Sequence, residues 1–165
     1  CLGAHAEGPF FSMGKRGAHR QEHVREDATG ASGPTVVYGP VLPAIVTLSP
    51  TVNGASAAVR SLVQRGVVVS VGHTTANGEQ IGAALEAGAT CLTHLYNAMP
   101  GLHHRDSGPL DALGGLADTG PSFKYASIIA DGVHVGPPAL RAAARMAGST
   151  QLVLVSDAVV VAGLP

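Results

Sequence analysis

One pattern constrains this chain more than any other. From Thr47 onward, short apolar runs alternate with helix-period segments that close on glycine, and the turn after each run carries a polar or ionisable group. Such alternation is the signature of βα units, whose crossover helices return the chain to parallel strands. The first clear unit is Ile45-Val46-Thr47-Leu48, a Ser49-Pro50 turn, and then Ala55, Ala58, Val59, Leu62 and Val63 at helical spacing, stopped by Gly66. Val67 to Val71 leads into Gly72 and His73. Thr74, Thr75 or Asn77 caps the next helix, with Ile81, Ala84 and Leu85 on its inner face and Gly88 at its end. Ala89 to Thr93 ends in His94. A long loop, Leu95 to Leu110, precedes a short helix near Asp111 to Leu116 and the strand Ala126 to Ala130, with Asp131 and His134 beyond it. A helix from Pro138 through Met146 and a strand from Gln151 to Val155 bring the chain to Asp157. Between Ser12 and Pro43, the glycines and prolines argue against any long helix.

Counting the strand that delivers Glu7, the reading gives six parallel strands with helices, an α/β fold. In parallel α/β architectures the chemistry gathers at the carboxyl ends of the strands. Glu7, His73, His94 and Asp157 are therefore expected on one rim, although they are spread over the chain. Six strands are too few to close an eight-stranded barrel, so the expected architecture is an incomplete (β/α)8 TIM-type barrel.

With 45% apolar and 13% charged residues, residues 1–165 read as one globular domain. A net charge of -1 and a pI near 6.8 exclude a general nucleic-acid binder, which needs a basic face. Cys1 and Cys91 form neither a CxxC pair nor a disulfide framework, which makes a reducing cytoplasm the expected location. No apolar run is long enough for a membrane span. The start at Cys1, without an initiator methionine, reads as a piece of a longer protein, with a lipidated Cys1 as the competing explanation.

Taken singly, Glu7 reads as a surface carboxylate and each histidine as a hydrogen-bonded loop residue. As a set, one carboxylate and two imidazoles match an open catalytic zinc site with three protein ligands and a fourth position for water. Asp157, free of the metal, is then placed to take the water's proton.

Several strings together resemble one family. They are His5-Ala6-Glu7-Gly8-Pro9-Phe10, Lys15-Arg16-Gly17-Ala18-His19, Val71-Gly72-His73-Thr74, Thr93-His94-Leu95-Tyr96-Asn97-Ala98-Met99-Pro100, Ala130-Asp131-Gly132-Val133-His134 and Val155-Ser156-Asp157-Ala158. Their order and approximate spacing resemble the N-acetylglucosamine-6-phosphate deacetylase family of the amidohydrolase superfamily. The resemblance implies hydrolysis of the acetamide of N-acetylglucosamine 6-phosphate to glucosamine 6-phosphate and acetate. It implies Glu7, His73 and His94 as ligands of one divalent metal, with zinc first and iron, cobalt or manganese also able to take such a set. It further implies Asp157 as the acid-base group and His19 as the group that polarises the acetamide carbonyl. Ala18, Asn97 and Ala98 correspond to sugar contacts, and Arg105 and His134 to phosphate contacts. In the family that arginine can come from a neighbouring subunit, which implies a homodimer. His23, His103 and His104 match no functional position, and His5, two residues before Glu7, is expected on the same sheet face as a structural or supporting group.

The sequence also departs from the family. No His-x-His pair occurs, so the match covers what would be strands three to eight of the barrel, and the family's small β-domain is not represented. Val159-Val160-Val161 replaces smaller residues, and Gly30 to Pro43 copies the family's helix poorly. Two other readings remain open: another amidohydrolase acting on a cyclic amide, and a catalytically silent metal-binding fragment. The Arg105 and His134 pair favours the deacetylase over the first.

Overall fold

The structure is a computed structural model and describes residues 2–106, 108–114, 120–148 and 150–158. Among the described residues, six strands form one sheet in chain order, every neighbouring pair parallel: β1 (His5–Glu7), β2 (Ile45–Leu48), β3 (Val68–Val71), β4 (Cys91–Leu92), β5 (Tyr125–Ile129) and β6 (Leu152–Val155). The crossovers contain α1 (Pro34–Val37), α2 (Ala55–Gln64), α3 (Gly78–Glu86) and, between β5 and β6, α4 (Pro137–Ala147). β4 is shorter than its apolar run, but its ladder bonds extend to Thr90 and Thr93, which donate to the Val69 and Val71 carbonyls.

The two faces of the sheet differ because side chains alternate along each strand. Val46, Leu48, Val69, Val71, Leu92, Ala126 and Ile128 are buried in one core with Ala58, Val59 and Leu62 of α2 and Ile81, Ala84 and Leu85 of α3. Each fully buried aliphatic side chain there contributes about 1.5 to 3 kcal/mol. The other face carries Thr47, Ser70, Thr93 and Ser127. His5 of β1 and Val155 of β6, from the two edge strands, line the same hollow, so the sheet is curled until its edges face one another.

Of the three possible caps for α3, the chain uses Asn77. Its side chain accepts from Gln80 N at 2.9 Å while Gln80 Oε1 accepts from Asn77 N at 3.2 Å, a capping box. The segment with no sequence period, 12–43, holds three single-turn 3-10 helices and the one-turn α1, whose Pro34 sits at the helix start. It lies across the strand ends: Ser12 N donates to the His73 carbonyl at 3.0 Å and Lys15 Nζ to the Met99 carbonyl at 3.0 Å. The helix expected near Asp111 is a 3-10 helix over Gly108–Ala112, and residues 115–119 lie outside the described residues.

Candidate active site

Glu7 ends β1, His73 follows β3 by two residues, and His94 follows β4 by two residues. Their side chains meet: His73 Nε2 and His94 Nε2 each lie 3.0 Å from Glu7 Oε1 and 3.0 Å from each other. His19 approaches the other carboxylate oxygen, with Nε2 3.5 Å from Glu7 Oε2. Glu7, His19 and His73 by themselves offer three donor atoms within 4.8 Å of one another, so the structure adds His19 to the neighbourhood of the expected ligand set.

The proton inventory shows what this cluster suits. His73 Nδ1 is 2.8 Å from the Lys15 carbonyl oxygen, which can only accept, so Nδ1 carries the hydrogen and the neutral ring turns a lone pair at Nε2 toward Glu7 and His94. That lone pair faces a carboxylate oxygen at 3.0 Å, and at most one hydrogen from neutral His94 is shared among the three contacts. Three electron-rich atoms converging in this way fit a divalent cation, and a set of two imidazoles and a carboxylate accepts zinc, iron, cobalt or manganese alike. When the His73 and His94 rings are protonated they donate to Glu7 instead, and these hydrogen bonds, opposed by burial, hold its carboxyl far below the usual carboxylate range. For His94, burial pulls the imidazole down, but the hydrogen bond and charge of Glu7 and the charge of Asp157 together raise it. Its Nδ1 is buried and finds no hydrogen-bond partner among the described residues.

A cleft of about 520 Å³ opens over this cluster and is lined by Glu7, Gly17, Ala18, His19, His73, His94, Asn97, Ala98, His134 and Asp157, among others. Nine of the ten residues singled out from the sequence therefore share one cleft. Arg105 is the exception. It is exposed on the loop after Gly101, its backbone N 3.3 Å from His103 Nδ1, and it does not line the cleft. His134 is exposed at the rim, where Asp131 Oδ2 takes its Nδ1 at 2.6 Å while Asp131 Oδ1 accepts from the backbone N of Val133 and His134. These bonds from His134 and Val133 lower the Asp131 carboxyl to about 2.

The backbone at these positions is unusual. Among the described residues, five non-glycine residues have positive φ, namely His73 (48°), His94 (31°), Tyr96 (76°), Ala98 (49°) and Asp157 (48°), and four of them line the cleft.

Sequence reasoning missed what surrounds the cluster. Phe11 is fully buried, its ring stacked on His73 with centroids 4.2 Å apart, and it meets the His19 ring edge-on at 4.9 Å. An aromatic residue after Gly-Pro gives no signal of this contact. His23, which carried no expected role, lines a smaller hollow beside Glu7, Phe11 and His19. His103 and His104 are exposed, their rings 4.3 Å apart.

Known proteins provide an independent comparison. No protein-family model matches the chain. N-acetylglucosamine-6-phosphate deacetylases from Danio rerio and Homo sapiens are 45% and 42% identical to it over 99% of its residues. In fold, the N-acetyl-D-glucosamine-6-phosphate deacetylase of Mycobacterium smegmatis superposes on 98% of the chain with a TM-score of 0.85 at 37% identity. The chain is homologous to N-acetylglucosamine-6-phosphate deacetylases. It covers 41% and 40% of the two curated relatives and 41% of the solved deacetylase. Its curled six-stranded sheet is accordingly part of the TIM-type barrel of those deacetylases. Another solved Mycobacterium smegmatis deacetylase, a mutant at 37% identity and TM-score 0.84 over 98% of this chain and 41% of its own, is described in complex with N-acetyl-D-glucosamine-6-phosphate. Escherichia coli O157:H7 contributes a relative at 38% identity, matched over 99% of this chain and 42% of its own length, named for N-acetylgalactosamine 6-phosphate instead.

Proposed function

We propose that this chain carries the metal-binding and acid-base half of a deacetylase that cleaves the acetamide of N-acetylglucosamine 6-phosphate to glucosamine 6-phosphate and acetate. The observation that carries the reading is the convergence of Glu7, His73 and His94 at 3.0 Å spacings in a cleft shared with His19 and Asp157. Glu7, His73 and His94 hold one divalent ion, zinc in this reading. Such an ion supplies Lewis acidity and lowers the pKa of water. Asp157 takes the proton of the attacking water and passes it to the sugar nitrogen, which leaves as an amine far more readily than as an anion. His19 donates to the oxygen on which negative charge develops.

The sugar rests on Asn97, Ala98 and Ala18, and the phosphate at the rim meets His134, whose ring Asp131 fixes. Arg105 lies outside the cleft of its own chain, in keeping with delivery to the cleft of a partner subunit in a homodimer. The protein acts in the cytoplasm in this reading; among the described residues, no helix is long and apolar enough to cross a membrane.

The test is release of acetate from N-acetylglucosamine 6-phosphate by the zinc-loaded chain, with N-acetylgalactosamine 6-phosphate in parallel. Release from the glucosamine substrate that stops with chelator supports the proposal, and faster release from the galactosamine epimer reassigns the sugar. Zinc bound at Glu7, His73 and His94 with no release leaves this chain the metal-binding part alone.

A further inference from the structure

Below the three donor atoms, on the hollow face of the sheet, four side chains form a continuous hydrogen-bonded ladder. His5 Nε2 lies 2.7 Å from Thr47 Oγ1, Thr47 Oγ1 lies 2.7 Å from Thr93 Oγ1, and Ser70 Oγ lies 2.6 Å from Thr93 Oγ1. The ladder joins β1, β2, β3 and the end of β4 through side chains alone. Thr47, Ser70 and Thr93 are buried, so each lost bond leaves a desolvated hydroxyl behind. Every strand that supplies a donor also supplies a rung: His5 precedes Glu7 by two residues, Ser70 precedes His73 by three, and Thr93 immediately precedes His94.

The backbone is shaped around this ladder. Gly72, between Ser70 and His73, has an unstrained φ, yet a Cβ there would stand 2.8 Å from Thr47 Cγ2 and 2.9 Å from Thr93 Cβ. Only glycine lets the two threonines close over β3.

We infer that this ladder is a positioning device for the metal centre: Thr47 and Thr93, with Ser70 and His5 at its ends, set the strand-to-strand spacing that holds Glu7, His73 and His94 at 3.0 Å. The inference rests on the metal reading proposed above. A ladder that only held the sheet together would affect folding and leave the zinc affinity of the folded chain alone.

Competition for zinc against a chromophoric chelator separates the two, with the unfolding midpoint of each metal-free variant recorded alongside. Thr47→Val and Thr93→Val keep shape and remove hydroxyls; each is expected to weaken zinc by roughly 10- to 100-fold, the range found for supporting shells of metal sites. Thr93→Ser restores the hydroxyl and should bind within about threefold of the parent. Valine variants that bind zinc as tightly as the parent, even with lowered unfolding midpoints, overturn the inference. If the valine variants do not fold, Ser70→Ala decides, because it deletes one end of the ladder with little loss of volume: weaker zinc supports the device and unchanged zinc overturns it. A parent chain that binds no zinc rejects the metal centre itself, a result distinct from tight binding in parent and variants alike.

Discussion

Replacing Phe11 tests whether the aromatic floor under His73 is part of the site or only part of the core. Its side chain is fully buried, stacked on the His73 ring at 4.2 Å and 26° and edge-on to His19 at 4.9 Å. Phe11→Ala leaves a cavity against two imidazoles, and such truncations cost about 3 to 5 kcal/mol. For a folded unit of this size each kcal/mol moves the midpoint by roughly 2 to 4 °C, so the expected fall is about 6 to 20 °C. Phe11→Leu keeps most of the apolar volume and loses the ring stack, worth about 0.5 to 1.5 kcal/mol. Urea unfolding with a common slope measures both variants, and zinc competition on the leucine variant asks whether His73 stays in place. The reasoning fails if alanine costs less than about 1 kcal/mol, or if leucine costs as much as alanine.

Asp157→Asn, made in the form of the protein that turns over substrate, should lower kcat by roughly 10²- to 10⁴-fold with zinc still bound. Loss of zinc together with activity would make Asp157 a ligand. His134→Asn should weaken binding of the phosphorylated sugar far more than that of unphosphorylated N-acetylglucosamine, and equal losses by calorimetry would remove its phosphate role. Because Asp131 is lowered from 3.8 to about 2, its contribution is present above pH 4 or so and is lost as pH falls through about 2. Carboxyl NMR should place its midpoint near the lower value, and His134→Ala should return it toward 3.8.

The sequence makes the sheet legible because short apolar runs such as Ile45 to Leu48 and Val68 to Val71, whose last three residues are buried, and a period of 3.6 in α2 and α3 are direct images of burial. The donor set is legible for a related reason: parallel strands put their ends on one rim, so Glu7, His73 and His94 meet without any closeness in sequence. What supports them is not legible. Thr47 and Thr93 look like ordinary β-branched strand residues, and nothing local tells a hydroxyl in a ladder from one facing solvent. The Lys15 carbonyl that fixes His73 belongs to the backbone, so residue identity says nothing about it. Phe11 and the whole of 12–43 act through tertiary contacts with no period. The concern over Val159 to Val161 falls outside the described residues.

The left-handed turns at His73, His94, Ala98 and Asp157 set stability against competence within this fold. A side chain in that region costs on the order of 1 to 3 kcal/mol at each position, and glycine would relieve it. His73 and His94 are buried, and packing that glycine would forfeit holds them in place, whereas Asp157 is exposed and has little packing to lose. Selection for thermostability alone would therefore drift toward glycine at Asp157 first, and a screen that scores melting temperature without scoring turnover would enrich for chains that have lost that carboxylate.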